Sequence, residues 1–232
     1  MDRFGDGAVA IIAGASGLVG SELLKLLLDN ASINKVYALV RQPLPYSDKR
    51  LIQKQHEGLM ITNWDEDQQA PDIGFICLGT TIKQAGTKEA LAKVDFELVC
   101  RVAQEMKLIG VKRIAVVSSF GANHKSLSHY LRCKGKAEQA VLSMGFERVV
   151  FVRPGPLAGT RKQPRTDEIV IGKILKALQP LLVGYFANFR PIQGKDVAKA
   201  MLYASLQPDH EPSDAYMTFS SPEMVEMLKV FN

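Results

Sequence analysis

AVAIIAGASGLVGSELLKLLLDN, residues 8–30, decides the fold. Its first six residues, Ala8–Ala13, form an unbroken apolar run with β-branched side chains, the pattern of a strand buried on both faces of a parallel sheet. Gly14, Gly17 and Gly20 then recur at every third position, and leucines return at helical spacing between Ser21 and Asn30. A strand, a glycine-rich turn and a helix in direct succession make a seat for a pyrophosphate. Glycine allows a positive φ and a close backbone approach, and free N–H groups at the helix N-terminus receive the anion. The whole turn, Gly14, Ala15, Ser16, Gly17, Leu18, Val19 and Gly20, is therefore expected to bind a dinucleotide.

Strand-like and helix-like stretches alternate onward from there. Lys35–Val40 reads as a second strand, Leu59–Ile61 as a weak third, Ile73–Gly79 as a fourth, Arg113–Ser119 as a fifth and Arg148–Pro154 as a sixth. Helical spacing runs through Glu89–Lys107 and Ser128–Met144. Short connections between such elements demand right-handed crossovers and give an α/β fold, a Rossmann-type doubly wound parallel sheet. Beyond Pro154 the pattern loosens into a loop over residues 155–168. Helices are expected at Ile169–Gln179 and Asp196–Leu206, a late edge strand at Met217–Ser220, and a helix start at Ser221-Pro222-Glu223. The chain reads as one domain over 1–232, with about 155–232 forming a small substrate-side cap.

Composition excludes several classes. Of 232 residues, 47% are hydrophobic and 23% charged, as in a globular protein with material for a core. Three scattered cysteines, Cys77, Cys100 and Cys133, make neither a disulfide framework nor a zinc ribbon, and favour a reducing compartment. No apolar run is long enough for a membrane span. MDRFGDG lacks the pattern of a secretory signal, so the expected location is cytoplasmic. The net charge of +5 arises in residues 117–232, which hold fifteen basic and ten acidic side chains. That suits an anionic small ligand and lacks the basic blocks of a nucleic-acid arm.

The second strand ends at Val40-Arg41-Gln42, with no carboxylate before Asp48. A carboxylate there would accept from the ribose hydroxyls of NAD, whereas a guanidinium binds a 2′-phosphate. Arg41 therefore points to NADP. Past the fifth strand, Tyr130 and Lys134 are spaced to share one helical face. An ammonium one turn away favours the phenolate and makes the phenol a ready proton donor. Ser119, at the carboxyl end of a central strand, lies where open α/β sheets bind ligands and could bond a substrate carbonyl.

Gly14–Gly20, Ser119, Tyr130–Lys134 and Arg153-Pro154-Gly155 together resemble the short-chain dehydrogenase/reductase superfamily. More narrowly, Cys77–Thr81, Lys93-Val94-Asp95, Val117–Ala122 and Arg153–Gly155 resemble its atypical branch. That branch includes the Tat-interacting tumour-suppressor protein and small bacterial NAD(P)-binding, epimerase/dehydratase-like proteins. The resemblance covers nearly the whole chain. It implies NADP(H) binding, Tyr130 as general acid/base, Lys134 orienting the nicotinamide ribose and tuning the tyrosine, and Ser119 polarising the substrate carbonyl. Leu78, Gly79 and Thr80 would line the adenine-ribose and pyrophosphate side, and Pro154 and Gly155 would flank the nicotinamide. Homodimerisation through the two long helices is likewise implied. Ser118 could hold the role given to Ser119, and a C-terminal portion shorter than in the extended reductases argues against a sugar-nucleotide substrate.

The functional expectation is an NADP-dependent oxidoreductase acting on a small carbonyl or alcohol, with no nucleic-acid or membrane partner and no metal. Its alternative is a non-catalytic, redox-sensing NADP(H)-binding regulator. No GK[ST] follows the glycines, which excludes a P-loop enzyme. His124 has no metal-ligand partner at helical spacing, and His129 has only Cys133, too few for a metal site, while Cys77 and Cys133 sit in apolar settings. Asp65 could meet an adenine amino group, and Arg161, Lys162 and Arg165 an anionic substrate, but solvated loops explain all four equally well.

Overall fold

The computed structural model describes residues 7–62, 64, 68–158, 184–208 and 215–230. β1 (Ala8–Ala13), whose side chains are all fully buried, is the centre of assembly. It pairs in parallel with β2 (Ile33–Val40) on one side and β4 (Ile73–Ile76) on the other. The sheet continues through β3 (Leu51–Gln55), β5 (Arg113–Val117), β6 (Arg148–Arg153) and β9 (Tyr216–Ser220) in the order β3-β2-β1-β4-β5-β6-β9, every pairing parallel. This is the expected Rossmann-type doubly wound sheet.

The pleat sends alternate side chains to opposite cores. Ala8, Ala10 and Ile12 join the core under α1 (Leu18–Asp29), α6 (Gly194–Leu206) and α7 (Ser221–Val230). Val9, Ile11 and Ala13 join the core under α4 (Val99–Leu108) and α5 (His129–Ser143). Short helices α2 (Ile82–Ala85) and α3 (Lys88–Ala92) precede α4, which α3 reaches through a π-helical turn, Lys93–Leu98. A 3₁₀ turn, Gly184–Phe189, leads to a two-stranded ribbon of β7 (Leu157–Ala158) and β8 (Ile192–Gln193).

Two expectations are corrected. The third strand is Leu51–Gln55 rather than Leu59–Ile61. An edge strand pairs on one side only and can be polar, as LIQKQ is, so an apolar run is the wrong signal there. Leu59 instead takes a left-handed φ of 56° in a loop where the His56 Nδ1 accepts from the amides of Gly58 and Met60. Of the segment read as a cap, α6 packs along α1 and β9 extends the sheet, so both belong to the core. Apolar faces on these elements find more buried area on the sheet than above it. The helix expected at 169–179, and Asp65, Arg161, Lys162 and Arg165, lie outside the described residues.

The amino edge of the sheet is closed by two arginines. Arg113 and Arg148, paired at the start of β5 and β6, are both buried. Arg113 donates to the carbonyls of Ser205 and Gln207, and Arg148 to those of Ala204, Gln207 and Pro208. Ala204 and Ser205 lie in the last turn of α6, and Gln207 and Pro208 just past it, so both guanidiniums face the helix's negative dipole end.

Candidate functional site

The glycine turn lies at the carboxyl edge of β1. Gly14 has φ +90°, and a side chain on it would run into the Cys77 carbonyl, at 2.6 Å from its first carbon. A side chain on Gly20 would collide with the Gly14 carbonyl oxygen. The Gly17 amide donates to Gly14 O at 3.0 Å, which closes the turn. Gly17 then caps α1 with no side-chain bond, and the first turn of that helix carries no acidic residue. Ser16 and Gly17 are exposed, Ala15, Val19 and Gly20 buried, and Leu18 half-buried. The backbone thus presents uncapped amides at a positive dipole end, the arrangement a pyrophosphate fits. Gly194 begins α6 against Leu18, so two helices start side by side at this edge.

Arg41 is exposed one residue past β2. With Gly58, Lys93, Val94, Glu97, Leu98 and Arg101 it lines a cleft of about 440 Å³. Leu78, Gly79 and Thr80 follow β4, with Leu78 buried and Gly79 exposed. The Thr80 amide donates to Asp95 Oδ2 at 3.0 Å.

Ser128 caps α5 by accepting from the Leu131 amide, and this starts the helix one residue before Tyr130. Tyr130 is half-buried and Lys134 buried. The Lys134 ammonium has an ion pair with Asp95 Oδ1 at 2.9 Å and donates to the carbonyls of Val117 at 3.2 Å and Leu78 at 3.3 Å. Three acceptors match its three protons. Burial works against the charge, but Asp95, with Tyr130 and Glu138, outweighs it and holds Lys134 above its ordinary range. One turn further on, Glu138 accepts two bonds from Arg153, from Nε at 2.9 Å and Nη2 at 2.5 Å, which ties α5 to the end of β6.

The two serines separate. Ser118 is buried, and its Oγ has no hydrogen-bond partner among the described residues. Ser119 is half-buried, with its hydroxyl 3.4 Å from the Phe120 carbonyl. The Phe120 amide donates to Pro154 O, and the Gly155 amide to Ser221 Oγ, so the loops after β5, β6 and β9 are laced together. Pro154 is buried and Gly155 half-buried.

The structure therefore brings the glycine turn, Leu78–Thr80, Ser119, Tyr130, Lys134 and Pro154–Gly155 to one edge, with Arg41 on its flank. Asp95 was visible only inside the Lys93–Asp95 resemblance, with no role attached. A buried lysine on α5 was the signal that a counter-ion had to exist. Burial pushes the Cys77 thiol up to about 12 even though the residue is only half-buried, and pushes Cys133 up as well. Cys133 Sγ lies 3.6 Å from His129 Nε2, one turn back on α5. No cluster of metal-ligating side chains occurs among the described residues.

Comparison with known proteins agrees with this geometry. The semialdehyde dehydrogenase NAD binding domain matches residues 8–99, and a family described as HIM1 matches residues 72–182. Among solved structures, MoeE5 in complex with UDP-glucose and NAD aligns at TM-score 0.63 and 18% identity, over 96% of this chain and 81% of that one. UDP-glucuronic acid 4-epimerase from Bacillus cereus in complex with NAD aligns at 0.64 and 15%, over 96% and 81%. The likeness to NAD-binding, epimerase-type proteins expected from the sequence is borne out at the level of fold, and a nicotinamide dinucleotide is the ligand class these matches support.

Protein FMP52, mitochondrial, of Debaryomyces hansenii is 31% identical over 208 residues, 86% of this chain and 88% of that protein. Its namesake in Eremothecium gossypii is 34% identical over 207 residues, 86% and 89%. These names overturn the cytoplasmic expectation. A first stretch unlike a secretory signal does not separate cytosol from mitochondrion. With such identity along most of both chains, the protein belongs to the FMP52 family.

Proposed function

We propose that this protein is an NADP(H)-dependent oxidoreductase that moves a hydride between the nicotinamide and a carbonyl or alcohol carbon of a small substrate. The nicotinamide, when bound, supplies or takes the hydride. The chain binds, orients and moves the proton. The amides of Gly14–Gly20 take the diphosphate and Arg41 the 2′-phosphate. Leu78, Gly79 and Thr80 line the adenine-ribose and pyrophosphate side, and Pro154 and Gly155 flank the nicotinamide. Tyr130 Oη gives its proton to the substrate oxygen in reduction and takes it back in oxidation. Lys134 holds a positive charge one turn along the same helix, and Ser119 donates to the substrate oxygen. The observation that carries the reading is the convergence of Tyr130, Lys134, Ser119 and the glycine turn on the carboxyl edge of one parallel sheet. The relatives' names support a mitochondrial setting for this chain.

A second reading, a cofactor-binding regulator without turnover, is favoured by one observation. The three acceptors around Lys134 leave no proton of the ammonium for a ribose hydroxyl. Calorimetric titration with NADPH and NADH in parallel tests the shared premise. NADPH should bind about tenfold more tightly, the difference expected of one good guanidinium–phosphate contact. Absence of heat with either dinucleotide sinks both readings. Tyr130→Phe should keep NADPH affinity within about twofold and lower carbonyl turnover by about 10²–10⁴-fold. NADPH consumption across a carbonyl panel decides for the enzyme. No consumption, together with a protein interaction that follows the NADPH/NADP⁺ ratio, decides for the regulator.

A further inference from the structure

The cleft beside Arg41 has a helical wall that the glycine-turn motif does not account for. Lys93, Val94, Glu97, Leu98 and Arg101 all line it. Residues 94, 97, 98 and 101 share one helical face, and Lys93, four residues before Glu97, borders it. The wall includes the π-helical turn Lys93–Leu98, and both Lys93 and Glu97 of that turn line the cleft. The same turn directs Asp95 inward, to the amide of Thr80 and to Lys134. Turns of this kind concentrate at functional sites.

The three cations of the cleft are not equivalent. Arg101 is committed, since its Nη2 donates to the Gly58 carbonyl at 2.5 Å and its Nε lies 4.0 Å from Glu105. Glu105 in turn accepts from the Ile61 amide at 2.7 Å. Arg101 and Glu105 therefore pin the loop after β3 against α4 and hold the cleft open. Arg41 and Lys93 are exposed, and neither has a side-chain hydrogen bond or ion pair among the described residues. Two uncommitted cations from different elements, one carboxylate (Glu97) and an apolar floor of Val94 and Leu98 describe a site for a nucleoside carrying a doubly charged phosphate.

We infer that Lys93 is the second cation of a 2′-phosphate site, contributed by the helical wall and acting with Arg41, so that this cleft takes the phosphorylated adenosine end of the dinucleotide. The inference rests on the NADP reading above and assigns a specificity role to a residue outside the strand-end position. Arg41 supplies planar bidentate contact, and Lys93 a point charge that follows the phosphate on a flexible stem. Glu97, one turn along, opposes the phosphate and limits affinity.

Adenosine 2′,5′-bisphosphate and 5′-AMP, titrated calorimetrically at fixed ionic strength, isolate the site from the nicotinamide half. Wild type should prefer the bisphosphate by about tenfold or more. Lys93→Gln should cut that preference about three- to tenfold and leave 5′-AMP affinity within about twofold, with a shallower salt dependence. Glu97→Gln should strengthen bisphosphate binding about two- to threefold, which a merely structural role would not do. If Lys93→Gln leaves the preference intact while Arg41→Gln abolishes it, the inference is overturned and the NADP reading stands. If wild type shows no preference, both fall. If Glu97→Gln weakens both ligands, the carboxylate is holding ribose hydroxyls and the assignment of Lys93 is wrong.

Discussion

Lys134 shows how far a single side chain departs from its sequence context. Spacing alone offers Glu138, four residues on, as its counter-ion. Instead Glu138 turns to Arg153, and Lys134 takes Asp95 from another element. Both members of the Asp95–Lys134 pair are almost wholly buried, at 0% and 5% side-chain exposure. Breaking such a pair strands a charge, so Asp95→Ala is expected to cost about 3–5 kcal/mol. Urea unfolding of variant and wild type at pH 7 measures it, and a difference below about 1 kcal/mol would reject the pair as a stabilising element. The sign with pH follows from the raised Lys134 value. Its stabilisation is complete below the ordinary lysine pKa of 10.5 and is lost as pH rises through the higher folded value. The Tyr130–Lys134 spacing was legible in the sequence. The choice between Ser118 and Ser119 was not, because which of two adjacent residues leaves the sheet core depends on where β5 stops, at Val117.

At the scale of elements, the strand–glycine–helix opening was readable because its constraints are local. β1 needs continuous apolar residues, and the turn needs residues without a Cβ. Gly20→Ala places its new carbon on the Gly14 carbonyl oxygen, a backbone atom that cannot rotate away. The variant should lose dinucleotide binding by more than about tenfold and about 1–3 kcal/mol of stability, read by calorimetry and thermal unfolding. Retained affinity would mean that the turn can open without harm. β3 escaped the sequence reading because an edge strand needs no apolar run. The π-helical turn escaped because the apolar spacing of residues 93–98 does not distinguish i→i+5 from i→i+4 bonding.

For the whole molecule, we propose a homodimer formed through α4 and α5. The inner faces of both helices are spent on the sheet, through Val102, Ala103 and Met106 and through Ala137 and Val141. What remains outward is polar except for Leu108 and Leu142, which are 79% and 39% exposed. Solution scattering should give twice the chain mass, and Leu142→Glu should shift it towards the monomer by placing a charge in the contact. A monomeric wild type would remove the dimer.

The arginines at the opposite edge of the sheet bear on how the protein is made. Arg113 and Arg148 sit in the middle of the chain, yet their carbonyl acceptors come from residues 204–208. A polypeptide emerging from a ribosome, or threading through a translocation pore, can assemble its central strands before those acceptors arrive. Until they arrive, the two guanidiniums lack the carbonyls of residues 204–208 that close this edge in the folded chain. The amino edge of the sheet is thus closed only when residues 204–208, near the end of the chain, are in place.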